Sequence, residues 1–171
     1  MTPLPTLLQP GAAAQPVVAW RVDAAPFAPT WDSGIGSERV GGRWSPPGTK
    51  AVYCSIDPST CIVEVAVHKG FKVLDTQPHV VTSLELLDLS DVRVVAPEEI
   101  PNPAWLHAGI PSAGQQAFGA ALLRAHAFVV LPSAVSRLSW NLLFDPGTAA
   151  GKYRLRSQER LAIDTRLNPA A

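Results

Sequence analysis

The first apolar run with the character of a strand covers 17–22, where β-branched residues flank Trp20 and bring Arg21 to a strand position. Ahead of it, residues 1–16 are rich in Pro, Ala and Gln with no period and read as a loose arm, so the folded domain is expected over 17–171. No period holds from Pro26 to Gly42, which reads as loop. The run Gly41-Gly42-Arg43-Trp44-Ser45-Pro46-Pro47-Gly48-Thr49 can continue neither a helix nor a central strand, and predicts a shaped turn ahead of a short buried strand over 51–54. The best-marked helix covers 58–69: Asp57 can cap it, Pro58 suits its first position and Gly70 its stop. Strands are predicted over 80–87 and 92–95, although the alternation from Val80 to Leu86 is imperfect. A second helix over 112–126 is weakened by Gly114 and Gly119. Phe128-Val129-Val130-Leu131 reads as a fully buried strand ending at Pro132-Ser133, and a last strand is expected over 160–167, with Leu161, Ile163 and Thr165 on one side. No internal repeat and no second domain is visible.

Composition narrows this picture. A chain of 171 residues with 47% apolar side chains can bury one continuous core, so a single domain is expected. Seventeen prolines argue for many short elements and against a helical bundle, which makes mixed α and β, an α+β domain, the better reading. The 14 basic and 14 acidic residues cancel, so nothing draws the surface toward direct nucleic-acid binding or an acidic membrane. The two cysteines, Cys54 on a strand and Cys61 on the following helix, can neither frame a disulfide scaffold nor complete a structural zinc site alone, and read as core residues. Residues 1–16 lack a basic leader region, and no segment approaches the ~20 apolar residues of a membrane helix, so a soluble, cytoplasmic protein is expected.

Most familiar chemistry is missing. There is no Gly-Lys-Ser/Thr phosphate loop, no His-Glu-x-x-His helix and no Gly-x-Ser-x-Gly elbow. Gly34-Ile35-Gly36 starts like a dinucleotide fingerprint, but the third glycine is absent and a flexible loop is the better reading.

What remains is a spaced set of polar residues at the ends of short elements: Arg21, Arg43, Tyr53, Glu64, His68, Ser133 and Asn141. Arg43 lies in a turn stiff enough to aim a guanidinium at phosphate oxygens, or it is a surface arginine. Tyr53 can stack on a flat ring, or serve as a core tyrosine with its hydroxyl satisfied. Glu64 is the sharpest signal, because Ile62, Val63, Val65, Ala66 and Val67 surround it. An unpaired buried carboxylate costs several kcal/mol or more, so either a cleft or an ion pair with Arg21 or Arg43 must explain it. His68 one turn on shares its face and also suits a helix end, and Ser133 after Pro132 suits a turn.

Taken together these residues resemble the RES family, named for an arginine, a glutamate and a serine, which supplies toxins of toxin–antitoxin pairs. The Gly41-to-Thr49 turn, Val52-Tyr53, Ser59 to Glu64 and His68 look like its central block. Leu131-Pro132-Ser133-Ala134-Val135 with Trp140-Asn141-Leu142-Leu143 is similar to its C-terminal block, and Trp20-Arg21-Val22 to its opening strand, so the resemblance spans about 17–167. Departures include Ser45, where the family often has asparagine, Cys61-Ile62 and Phe144-Asp145.

The resemblance implies a fold like that of ADP-ribosyltransferase toxins, with a twisted mixed sheet split around a cleft. It also implies NAD as substrate rather than as a resident cofactor, no metal, depletion of cellular NAD, and an antitoxin partner with a helix-turn-helix domain that covers the site. On that reading Arg21 and Arg43 meet the pyrophosphate, Tyr53 stacks on nicotinamide and Glu64 stabilises positive charge on the ribose. Ser133 hydrogen-bonds the carboxamide or ribose, Asn141 and His68 line the NAD site, and water or phosphate takes the ADP-ribose. Two alternatives stay open: an ADP-ribosyltransferase acting on a specific protein, and a non-catalytic partner-binding module in which Glu64 and Arg43 merely pair in the core.

Overall fold

Strand β5 (Phe128–Pro132) shows how the core is organised, since every one of its residues is buried. Phe128 and Val130 point into one apolar cluster with Val52, Leu84, Leu142 and Phe144, whereas Val129 and Leu131 point into another with Trp44, Trp105, Leu123 and Leu143. A strand packed on both faces needs no polar alternation, which is why this run is continuously apolar.

The structure is a computed structural model describing residues 16–107, 109 and 111–164. Around β5 it orders β1 (Val18–Ala24), α1 (Ile35–Val40), β2 (Val52–Ser55), α2 (Pro58–Lys69), α3 (Phe71–Thr76), β3 (His79–Leu86), β4 (Val92–Val94), α4 (Ala113–Ala125), β6 (Trp140–Phe144) and β7 (Tyr153–Arg160). One seven-stranded sheet runs β4-β5-β6-β2-β1-β3-β7, parallel at β4–β5 and antiparallel at the other seams. The domain is therefore α+β with a mixed sheet. Its seams are unequal. β1 and β3 pair along the whole of β1, from Val18↔Glu85 to Ala24↔His79, but β1 and β2 pair only at Trp20↔Ser55. The sheet thus falls into two halves joined at one point, and a cleft lies along that seam.

Helix α2 lies over β1 and matches its sequence signals. Asp57 accepts the Thr60 amide at 2.8 Å, Pro58 occupies the first turn, and Gly70 ends the helix at φ +83°. The second carboxylate oxygen of Asp57 takes the Ser139 hydroxyl at 2.5 Å, tying the start of α2 to the entry of β6. Burial pushes the Asp57 carboxyl up, but the bonds from Ser139 and Thr60 outweigh it and hold it below its ordinary value. Its stabilisation is therefore complete above the unfolded value of about 3.9 and is lost as pH falls through the lower folded value. Asp57→Ala is expected to destabilise the fold by about 1 kcal/mol at neutral pH. In urea melts, its gap to wild type should narrow only in the acid range.

Two expectations need correction, and two elements were not foreseen. The stretch 26–42 is not loop: Pro26 and Pro29 sit in a 3-10 helix (Ala25–Thr30), and Gly34, left-handed at φ +67°, starts α1. The final strand lies earlier than 160–167, at β7; Leu161 and Ile163 still pack, against the Val22, Cys61, Ala66 and Leu74 cluster, and 165–167 lie outside the described residues. β6 was not anticipated as a strand, nor α3 as a helix. Of the N-terminal arm, 1–15 lie outside the described residues, while Val17 is already buried in the core.

Gly119, expected to weaken α4, has a packing reason. A Cβ there would lie 2.1 Å from the Trp44 carbonyl oxygen, so the helix rests directly on the backbone of the Gly41–Thr49 turn. Gly119→Ala must push the two apart, and is expected to destabilise the fold by about 1–3 kcal/mol by thermal or chemical melting, despite alanine's better helix propensity.

Candidate functional site

The β1–β2 seam is held by a side chain. Arg21 Nη1 donates to the Tyr53 carbonyl at 3.0 Å, bridging strands that share no ladder beyond Trp20↔Ser55. Its Nε and Nη2 grip Asp23 at 2.8 and 2.6 Å, a two-pronged pair. Residues two apart on a strand share a face, which places Asp23 under the guanidinium. Burial, the largest single influence, would lower the Arg21 pKa; the charge and hydrogen bonds of Asp23, with smaller help from Cys54 and Cys61, together outweigh it and raise the pKa.

Glu64 on α2 faces two neutral donors. Ser133 Oγ donates to Glu64 Oε1 at 2.7 Å and Asn141 Nδ2 donates to the same oxygen at 2.6 Å. Neither bond uses Oε2. Each donor is itself oriented. Ser133 Oγ accepts the Val135 and Ser136 amides at 3.1 and 2.9 Å, so its single proton is directed at Glu64. Asn141 lies opposite Ser55 across the β2–β6 ladder and accepts its hydroxyl at 2.8 Å, which leaves the amide nitrogen for the carboxylate. The ion pair considered for Glu64 is not what holds it: Arg21 is paired with Asp23.

Arg43 sits at the tip of a tight turn closed by the Gly42–Ser45 bridge and donates from Nη1 to the Trp105 carbonyl at 2.6 Å. Tyr53 reaches beneath that turn, its hydroxyl accepting the Trp44 amide at 3.1 Å and meeting Ser45 Oγ at 2.8 Å. Burial pushes the phenol's pKa up, so it stays protonated at neutral pH.

These elements enclose a cleft of about 720 Å³ lined by Arg21, Arg43, Tyr53, Glu64, His68 and Asn141, six of the seven candidates. Ser133 is the exception. It is fully buried and its proton is taken by Glu64, so the expected contact from Ser133 to substrate gives way to a role in holding the carboxylate. His68 and Lys69 stand exposed on α2, on the cleft wall. Cys54 and Cys61 also line the cleft but are buried free thiols; burial pushes Cys54 up to about 12 and moves Cys61 the same way, so both stay unreactive thiols. Among the described residues no group of three or more His, Cys, Asp or Glu is arranged to hold a metal ion, and no helix is long and apolar enough to cross a membrane.

The sequence reading missed Asp23, Ser55 and the Trp105 carbonyl. Asp23 and Ser55 carried a signal, since each lies two residues from a candidate on the same strand face; a backbone carbonyl from a distant loop carries none.

Comparison with known proteins finds relatives over almost the whole described domain. The model of the RES domain family matches residues 18–164. The protein "Toxin Res" of Photorhabdus laumondii is 26% identical over 155 residues, covering 88% of this chain and 97% of that protein. In the crystal structure of the M. tuberculosis MbcT-MbcA toxin-antitoxin complex, a chain superposes with a TM-score of 0.69 at 23% identity, over 86% of this chain and 85% of that one.

Proposed function

This chain belongs to the RES domain family, and from that premise and the Glu64 geometry we propose that it is the toxin of a toxin–antitoxin pair and acts by splitting NAD between nicotinamide and ribose. The observation that carries the reading is a carboxylate fixed through one oxygen by two neutral donors, inside a cleft that two arginines also line.

The chemistry suits that arrangement. Nicotinamide leaves as a neutral molecule from a cationic ring, so the step requires no general acid, and positive charge develops on the ribose. Ser133 and Asn141 hold Glu64 by Oε1; Oε2 is the oxygen we assign to the ribose, where a preorganised negative charge stabilises the transition state by about 3 kcal/mol or more. Neutral donors suit this role, because a cation on Glu64 would cancel the field that the ribose needs.

The two arginines divide the work. Arg21 spends three N–H groups on Asp23 and Tyr53 and ties the seam; Arg43, with one contact to a carbonyl, is the group we assign to the pyrophosphate. The Tyr53 ring provides the surface for nicotinamide, and His68 and Lys69 line the route in. Water or inorganic phosphate then takes the ADP-ribose. The partner is an antitoxin, and the exposed apolar side chains on the cleft wall, Phe27, Ile35 and Val40, form the surface assigned to it.

Inducing the chain in cells without an antitoxin tests the proposal. NAD is expected to fall before growth stops, and the Glu64→Gln variant induced in place of the wild type should leave both unchanged. Arrest at constant NAD, with label from NAD retained on one cellular protein, would replace this reading with protein ADP-ribosylation.

A further inference from the structure

The hydroxyl of Tyr53 belongs to a chain of hydrogen bonds whose direction can be deduced. Ser37 Oγ donates to the Thr49 carbonyl at 3.1 Å, and a serine has one hydroxyl proton. In its 2.7 Å contact with Ser45 Oγ, Ser37 must therefore accept and Ser45 donate. The Ser45 proton is then used, so in the 2.8 Å contact with Tyr53 the phenol must donate. The phenol oxygen in turn accepts the Trp44 amide. The chain runs one way, from Trp44 N–H through Tyr53, Ser45 and Ser37 to the Thr49 carbonyl, and each hydroxyl gives once and receives at least once. Ser45 is fully buried and Ser37 nearly so, so solvent is poorly placed to replace a lost link.

The chain crosses the Gly41–Thr49 turn from beneath. Both of its backbone ends, Trp44 N and Thr49 O, belong to that turn, while Ser37 anchors it to α1 and Tyr53 to β2. Gly42 makes room for it: a Cβ there would lie 2.5 Å from the Tyr53 hydroxyl. Arg43 is the residue between, adjacent to the amide that starts the chain.

We propose that Tyr53 is a positioning residue whose phenol proton, passed through Ser45 and Ser37, fixes the turn that aims Arg43 into the cleft. The hydroxyl is fully committed to this chain and has no proton to exchange with a substrate. This goes beyond a ring on which nicotinamide rests, and only its kinetic consequence depends on the NAD reading.

Tyr53→Phe separates the two roles, because it keeps the ring and removes the chain. Hydrogen exchange at the Trp44 amide should speed up by about tenfold or more, since its acceptor is gone. Ser37→Ala, at the far end, should speed it as well. In NAD turnover Tyr53→Phe should raise KM by about tenfold, and adding it to Arg43→Ala should raise KM no further than Arg43→Ala alone. Four results would each overturn the proposal: unchanged Trp44 exchange in Tyr53→Phe, unchanged exchange in Ser37→Ala, an unchanged KM in Tyr53→Phe, or KM effects of Tyr53→Phe and Arg43→Ala that multiply. A purely stacking tyrosine leaves Tyr53→Phe at wild-type KM, and a purely structural one lowers its melting temperature without altering KM. Should the wild type release no nicotinamide, the NAD reading falls, while the two exchange measurements still decide on the chain.

Discussion

Glu64→Gln should lower the rate of nicotinamide release by about 10²–10³-fold while leaving the fold as stable as wild type within about 1 kcal/mol. The substitution separates charge from hydrogen bonding. A glutamine carbonyl can accept the same two bonds, from Ser133 Oγ and Asn141 Nδ2, that Oε1 accepts now. What disappears is the negative charge facing the cleft, and only the cationic transition state depends on it. The effect belongs in kcat more than in KM, because the ribose carries little of that charge in the bound substrate. Equal losses in stability and turnover would mean instead that Glu64 serves the core.

Arg21→Ala should act through stability, lowering it by about 3 kcal/mol. Its partner Asp23 is buried, and without the guanidinium its carboxylate is left there with no counter-charge. The bond to the Tyr53 carbonyl, a bridge across the weakest seam of the sheet, is lost as well. Arg21→Ala combined with Asp23→Ala should recover much of the loss, since the stranded charge goes too. Chemical denaturation of the single and double variants measures this directly. A fully stable single variant with weakened NAD binding would show that Arg21 is a substrate ligand rather than a strut.

How far the sequence could be read depended on whether the forces at each position are local. Helix α2 was legible because Asp57, Pro58 and Gly70 mark its ends within one stretch of chain. β5 was legible because burial on both faces leaves an unbroken apolar run. The helices α1 and α3 have six residues each, too few for a period of 3.6 to show. β7 is an edge strand of mostly exposed polar residues, held by pairing to β3, and pairing leaves no trace in hydropathy. At the cleft, Glu64 stood out as a carboxylate among apolar neighbours. Its partners could not be chosen that way: Ser133 reads as a turn residue, and it is one, yet the amides it accepts are what direct its proton at Glu64. Both arginines were read as phosphate ligands; in the structure Arg21 is taken up by Asp23 and the Tyr53 carbonyl, whereas Arg43 meets only the Trp105 carbonyl among the described contacts.

The most direct measurement is a mass balance on purified protein freed of any partner. Incubated with NAD, the wild type should release nicotinamide in step with NAD loss, with ADP-ribose or its phosphorylated form as the other product. NAD that stays intact under conditions where the chain is folded would contradict the assignment of this cleft.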